Sequence, residues 1–296
     1  MKKGFKFILV VALSLTMFGC HSNEKTSINI LCPTGAPSLS LVSEYENLIK
    51  DGRVDFVDGS DTLVSELVKD NSEYDMIIAP INVGAKLMAE KQTQFQLTGV
   101  LTWGNLYLVG TDEKELQNEG EIALFGKGSV PERIYSHSVS QFDIHLKAKY
   151  YNSATLVQQQ LISKKVKVGL LAEPLATATI AKAKQSNLEL RIIGDLQMNY
   201  EHGQGYPQAS IFVKKDKDLN DLLDKIDEFT NNGYPHLKEN IDKVGIEKLG
   251  LPNSDIAVKS IERQNLHYKK ATDCKEVITS FLKSFNIEFS DDMIHD

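Results

Sequence analysis

Residues 59–80, GSDTLVSELVKDNSEYDMIIAP, decide how the rest of the chain is read, because residues 152–174 repeat them as NSATLVQQQLISKKVKVGLLAEP. In both copies a Ser stands two residues ahead of Thr-Leu-Val, a polar connection follows, and an apolar run ends on Ala-Pro or Ala-Glu-Pro. The second copy is longer by one residue between its Thr and its Pro. Leu63, Val64, Leu67 and Val68 fall on one face of a helix, with Ser60 or Asp61 placed as N-cap. Residues 75–79 form a short apolar run that suits a strand buried on both faces, as parallel sheets require. Pro80 then fits the first turn of a further helix, where a missing N–H is no loss. The copy reads alike, with Leu156, Val157 and Leu161 on the helix, 168–172 as strand and Pro174 opening the next helix. Two copies are too few for a solenoid. The pattern predicts two similar α/β lobes, each giving the same corner to one cleft, with ligand at the carboxyl ends of the strands where helix N-termini point.

The N-terminus predicts export. Lys2, Lys3 and Lys6 precede an apolar run over 7–18. That run is shorter than the roughly 20 residues a membrane span needs and matches a secretory signal. It ends at Met17-Phe18-Gly19-Cys20, which resembles a bacterial lipobox. Residues 1–19 are thus expected to be a signal peptide, Cys20 the site of lipidation, and 20–26 a lipidated tether. Plain secretion with Cys20 as an ordinary thiol is the alternative. Without Lys2, Lys3 and Lys6, 30 basic residues face 40 acidic ones, a balance that argues against nucleic acid or an anionic lipid surface as partner. Cys32 and Cys274 allow either a bridge or two packed thiols. No Cys pair has zinc spacing and no two His lie at i, i+4 on a helix, so neither a metal nor a cofactor is indicated.

The candidate site residues sit at the ends of expected strands. Residues 27–31 alternate as a strand and run into Cys32-Pro33-Thr34-Gly35-Ala36-Pro37, followed by one helix carrying Leu41, Val42, Tyr45, Leu48 and Ile49. A turn of this kind aims the amides around Thr34, Gly35 and Ala36 at one point and suits an oxyanion or a polarised ring oxygen. It is equally a tight strand–helix turn with nothing bound. Asn82, in the first turn after Pro80, can donate and accept toward a ligand or satisfy its own helix end. Trp103-Gly104-Asn105 reads as a turn between two strands, and Trp103, the only Trp, fits either a cleft wall stacked on a planar ligand or a core position. Gly126-Lys127-Gly128-Ser129-Val130-Pro131 lacks the spacing of a P-loop, and Pro131 stands where a dinucleotide fingerprint needs Gly. What it offers is a helix N-terminus with N–H groups near Ser129. Glu173, which has no counterpart in the first copy, suits a cationic or N–H-bearing ligand, or is simply an acid favoured by the helix dipole. Residues 202–207 form a loop, 209–213 a strand returning to the first lobe, and the rest reads as helices over 219–229, 238–249 and 274–285 whose charges are solvated faces.

Taken in order, the lipobox, PTGAP at 33–37, IIAPINVGAKL at 77–87, LTWGNLYLV at 101–109 and LLAEPLAT at 170–177 resemble the type II periplasmic substrate-binding proteins of ABC importers, in the branch near nitrate, sulfonate, taurine and thiamine-precursor binders. The resemblance implies an α/β, two-lobed fold. Lobe 1 would span 27–108 with 209–296 returning to it, lobe 2 would span 109–208, and hinge strands would join them beside a ligand cleft. It implies ligand contacts at Thr34, Gly35, Ala36, Ser60, Asn82, Trp103, Gly104, Asn105, Ser129 and Glu173, with Tyr206 covering the cleft. The implied partners are a small solute and the permease and ATPase subunits of an importer, the protein being a monomer anchored through Cys20 on the extracytoplasmic face of the cell membrane. The C-terminal DDMIHD lacks the aromatic ending expected of close relatives.

No nucleophile–base pair stands at a recognisable spacing, so no enzyme activity is expected. Menaquinone-pathway enzymes and pyrimidine synthases share the fold, but they work in the cytoplasm and this chain carries an export signal. A lipoprotein that presents its surface to another protein is the third class. For the ligand, the turn amides favour an oxyanion, Trp103 and Tyr206 a planar ring, and Glu173 a cationic or amide group. A thiamine-precursor-like heteroaromatic meets all three demands, and a small sulfonate or nitrate-type anion meets the first.

Overall fold

The computed structural model describes residues 27–198, 200 and 205–295. The expected signal peptide, tether and Cys20 lie outside the described residues. The chain opens with β1 (Asn29–Pro33), a 3-10 turn at Ala36–Leu41, α1 (Tyr45–Asp51), β2 (Arg53–Val57), α2 (Asp61–Leu67), β3 (Met76–Pro80), α3 (Ile81–Ala89) and β4 (Phe95–Thr102). It crosses to β5 (Leu106–Gly110), β6 (Glu121–Phe125), α4 (Val130–Ser138), β7 (Lys147–Tyr151), α5 (Ala154–Ile162), β8 (Val168–Ala172), α6 (Leu175–Gln185) and β9 (Arg191–Asp195). It then returns through β10 (Ala209–Lys214), α7 (Asn220–Asn231), α8 (Leu237–Val244), α9 (Ile246–Leu249), α10 (Ser254–Lys259), β11 (Leu266–Lys270) and α11 (Lys275–Lys283).

Two sheets result, ordered β11-β4-β10-β3-β1-β2 and β7-β6-β8-β5-β9. The repeated segments occupy equivalent places: β3 is parallel to β1 and antiparallel to β10, and β8 is parallel to β6 and antiparallel to β5. Each sheet therefore receives its antiparallel strand straight after the chain has crossed from the other sheet. Because β5 pairs inside the second sheet, the crossing lies at residues 103–105, ahead of the expected boundary at 108.

Strand alternation sorts the core. Leu31, Ile77, Ala79 and Phe212 face one side of the first sheet, and Ile30, Cys32, Met76, Ile78, Ile211 and Val213 face the other, as a period of two dictates. The first of these sides is continuous with the side of the second sheet that carries Leu106, Leu108, Ile122, Leu124, Val168 and Leu170. One apolar core thus runs through both lobes, joined at the crossing by Trp103, Tyr200, Tyr206 and Phe281.

Several expectations are corrected. The single helix expected around 41–49 is a 3-10 turn and a separate short α1, because Gly35 (φ 87°) and Pro37 start a tight turn that ends before Tyr45. The last third is not all helical. Leu266 and Tyr268 are buried in alternation with His267 and Lys269, and the segment pairs with β4 as an edge strand. Of the two alternatives for Cys32 and Cys274, the packed thiols hold: both are free and buried on opposite faces of the first sheet. The tail is docked: Ile294 bridges Leu97 in parallel, the His295 N–H donates to Leu97 O at 2.9 Å, and Met293 is buried. No helix of the described residues is long and apolar enough to cross a membrane.

Candidate functional site

The two crossings run side by side. Gln208 N donates to Thr102 O at 3.0 Å and Tyr206 N to Trp103 O at 3.4 Å, so residues 102–105 and 205–208 form a pair of linked connections between the sheets. Their glycines have a steric reason. Gly104 has φ 83°, and a Cβ there would lie 2.7 Å from the Tyr206 ring; at Gly205 (φ 73°) it would lie 2.3 Å from Trp103 O. Only glycine meets both conditions at either place.

At the carboxyl ends of the central strands this crossing gathers three side-chain amides. Asn82 lies in the first turn of α3 after β3, and Gln208, just before β10, accepts at its main-chain O from the Ile81 N–H at 2.8 Å. Asn105, just before β5, donates from Nδ2 to Glu173 O at 3.2 Å and accepts at its main-chain O from the Glu173 N–H at 3.0 Å. The carbonyl oxygens Asn82 Oδ1, Asn105 Oδ1 and Gln208 Oε1 are all buried and have no hydrogen-bond partner among the described residues. Ser210 Oγ and Gln264 Oε1 are likewise buried without a partner among the described residues, and a buried acceptor left unmatched costs about 1–3 kcal/mol.

Beside Asn105 stands a charge pair that joins the lobes. The Glu173 carboxylate, at the end of β8 and fully buried, accepts from Thr177 N at 3.0 Å, Thr177 Oγ1 at 2.8 Å and Arg263 Nε at 2.7 Å. Arg263 belongs to the 3-10 turn Ile261–Gln264 of the first lobe, and its Nη2 also donates to Thr177 Oγ1 at 2.6 Å. The turn is tied to the crossing as well: Tyr107 donates from its hydroxyl to Arg263 O at 2.8 Å, and Asn265 Nδ2 donates to Gly104 O at 2.8 Å. Of the two readings of Glu173, the acid at a helix start fits, since it takes the Thr177 N–H, and the charge it meets is that of Arg263.

The expected oxyanion cradles are also corrected. Thr34 N donates to Val57 O at 2.9 Å and Gly35 N to Leu249 O at 2.8 Å, while Ala36 is buried. In the second lobe Gly128 N donates to Glu132 Oε2 at 2.6 Å, and Ser129 N and Oγ both donate to Gly126 O. The amides of the first turn are thus taken by β2 and α9, and the second helix start satisfies itself, as an acid three residues into a helix does. Ser60 is exposed at the N-cap of α2, without a side-chain cap bond.

Of the two readings of Trp103 the core position holds, and Tyr206 does not cover a cleft. Trp103 is buried, donates from Nε1 to His267 O at 3.0 Å and stacks on the His267 ring at 5.6 Å, with Lys269 Nζ 4.6 Å from the indole centroid. Tyr206 is fully buried, stacked on Phe281 at 5.9 Å, with its hydroxyl on Gln197 Oε1 at 3.2 Å. Neither ring offers a face to a ligand. Sequence reasoning missed Gln208 and Arg263. The only signal for Arg263 was that it is the sole Arg after Arg191 in a Lys-rich segment, and arginine is the residue suited to a buried carboxylate.

Two cavities lie apart from the amides. A groove of about 460 Å³ runs between α6 and the 250–256 segment, lined by Gln158, Leu175, Lys182, Leu251, Pro252 and Ile256. Another of about 790 Å³ lies at the amino end of β1, where Lys217 pairs with Asp75 and Lys225 with Glu44.

Neither a protein-family model nor a curated sequence matches the chain. Solved structures do. An ABC transporter structure from Parabacteroides distasonis superposes with a TM-score of 0.73 at 24% identity, covering 88% of this chain and 92% of that one. The periplasmic aliphatic sulphonate binding protein SsuA from Escherichia coli gives 0.63 at 11% identity, covering 88% and 86%. The periplasmic nitrate-binding protein NrtA from Synechocystis PCC 6803 gives 0.63 at 11%, covering 88% and 81%. The chain thus has the two-lobed α/β fold of periplasmic solute-binding proteins.

Proposed function

We propose that the protein is the extracytoplasmic solute-binding component of an ABC importer, a carrier rather than an enzyme, held to the membrane through a lipid on Cys20. It would act as a monomer that closes on a small solute and hands it to permease and ATPase subunits. The observation that carries the reading is the trio of unmatched acceptors, Asn82 Oδ1, Asn105 Oδ1 and Gln208 Oε1, at the strand ends where such folds take ligands. The solute structures named above support the class.

The chemistry of the trio points to a solute that donates N–H or O–H groups. An amino-bearing or ring N–H heteroaromatic of the thiamine-precursor kind fits acceptors better than a bare sulfonate or nitrate does, since the turn amides at Thr34, Gly35, Gly128 and Ser129 already have partners. Thr34 and Ser60 are left as rim contacts.

The test is thermal unfolding of the soluble chain from residue 22 onward against aminopyrimidines, other vitamins, amino acids, sulfonates and nitrate. A solute at 100 times its Kd adds about 2.7 kcal/mol to stability. Asn82→Ala and Gln208→Ala should each weaken the responding solute about tenfold or more, the value of one hydrogen bond to a buried partner. A panel with no responding solute would sink the carrier reading, and a response confined to nitrate and sulfonates would sink the donor-bearing ligand.

A further inference from the structure

We infer that Arg263 is a masked anion-binding group, and that Glu173 is its built-in counter-ion, turning the cleft away from oxyanions and toward solutes that donate hydrogen bonds. The inference rests on the carrier reading above and names the residues that set its selectivity.

The sequence shows where the mask came from. The first copy of the repeat ends Ala79-Pro80 and the second Ala172-Glu173-Pro174, so the one extra residue places a carboxylate at the end of β8 where the first lobe has none. The side chain of Glu173 is 0% exposed and that of Arg263 is 37% exposed. The carboxylate is sealed, whereas the arginine side chain is partly open to solvent. A guanidinium fork matches a planar carboxylate, and it would match nitrate or a sulfonate equally well. With Glu173 ionised the pair is neutral, and an incoming anion meets a guanidinium whose Nε and Nη2 are bonded and whose charge is balanced.

The mask is also coupled to the ligand amides. Glu173 and Asn105 exchange two hydrogen bonds through their main chains and the Asn105 Nδ2, so the bond that fixes the counter-ion also fixes one of the three unmatched acceptors. Selection for donors and rejection of anions therefore share one scaffold. Thr177 completes it, since its hydroxyl accepts from Arg263 and donates to Glu173.

Glu173→Gln keeps the shape and removes the charge. Methanesulfonate and nitrate are the probes, titrated calorimetrically into wild type, Glu173→Gln and the double variant Glu173→Gln/Arg263→Gln, with cooperative unfolding as the check on folding. Glu173→Gln should bind methanesulfonate at least tenfold more tightly than wild type, with an affinity that falls as salt rises, and the double variant should lose that gain. A folded Glu173→Gln with no gain, or a double variant that keeps it, overturns the inference. If Glu173→Gln does not fold, Glu173→Ala serves instead: its unfolding midpoint should climb with added nitrate beyond any change in wild type, and an equal response overturns the inference. An anion gain in Glu173→Gln beside a wild type that binds no donor-bearing solute sinks the ligand reading alone. Donor-bearing solutes bound without an anion gain sink the masking alone.

Discussion

His267 shows how one side chain can be fixed in its neutral form by packing. It lies 13° from parallel on the Trp103 indole, and burial, with the Lys269 charge a smaller contributor, lowers its pKa from 6.5 to about 4. An unfolded chain therefore binds the His267 proton below about pH 6.5, whereas the folded one resists until about pH 4. Between those values the unfolded state holds more protons, so stability falls as pH drops through that window and is constant in this respect above it. The unfolding midpoint of wild type should decline from pH 6.5 to 4, and His267→Phe, which keeps a ring on Trp103, should flatten that part of the profile. A profile unchanged by the substitution would refute the assignment. At this scale the sequence was half legible. Asn82 and Asn105 stood out because each follows or precedes a recognisable strand. Trp103 and Tyr206 did not, because an aromatic beside a glycine reads the same for a core as for a cleft wall, and only the ring's partner decides. Arg263 lies 90 residues from the carboxylate it holds, a distance over which no local pattern speaks.

Among the elements, α11 has an effect larger than its nine residues suggest. Phe281 stacks on Tyr206, meets Tyr200 edge-on at 6.0 Å and Phe285 at 5.3 Å, while Arg133 of α4 lies 5.1 Å from the Phe285 ring centroid. A helix of the first lobe is in this way packed onto the second. Phe281→Ala should cost about 3–5 kcal/mol, as large aromatic deletions from a tight core do, read as a lower denaturant midpoint. Gly104→Ala should also destabilise, since alanine must both hold φ near 83° and push back the Tyr206 ring; a cost of about 1–3 kcal/mol is expected for such strain. A midpoint unmoved by either change would mean that the crossing bears no packing load. The repeated helix–strand–helix units were legible because their apolar spacing is periodic and a Pro stands at or just after the end of each strand. Strand β11 was not, because two of its five residues are exposed lysines that read as a solvated helix face, and burial of Leu266 and Tyr268 shows only against β4.

For the whole molecule, fold class followed from the repeat and from the order of degenerate motifs, and the crossing point was displaced from 108 because Leu106 and Leu108 are as apolar as the strand before them. One apolar core runs through both lobes, so a bound solute should raise one cooperative transition rather than that of a single lobe. Two separated transitions in scanning calorimetry, only one of them responsive to solute, would contradict a common core. The sheet order has a further consequence in time. In the first sheet β10 lies between β3 and β4, so β4 has no neighbour on that side until residue 209 is made, after the entire second lobe. At ribosomal rates of about 5–20 residues per second, the larger sheet stays open for on the order of 5 to 20 s after β4 emerges. The order of its strands thus leaves the larger sheet incomplete through the synthesis of the whole second lobe.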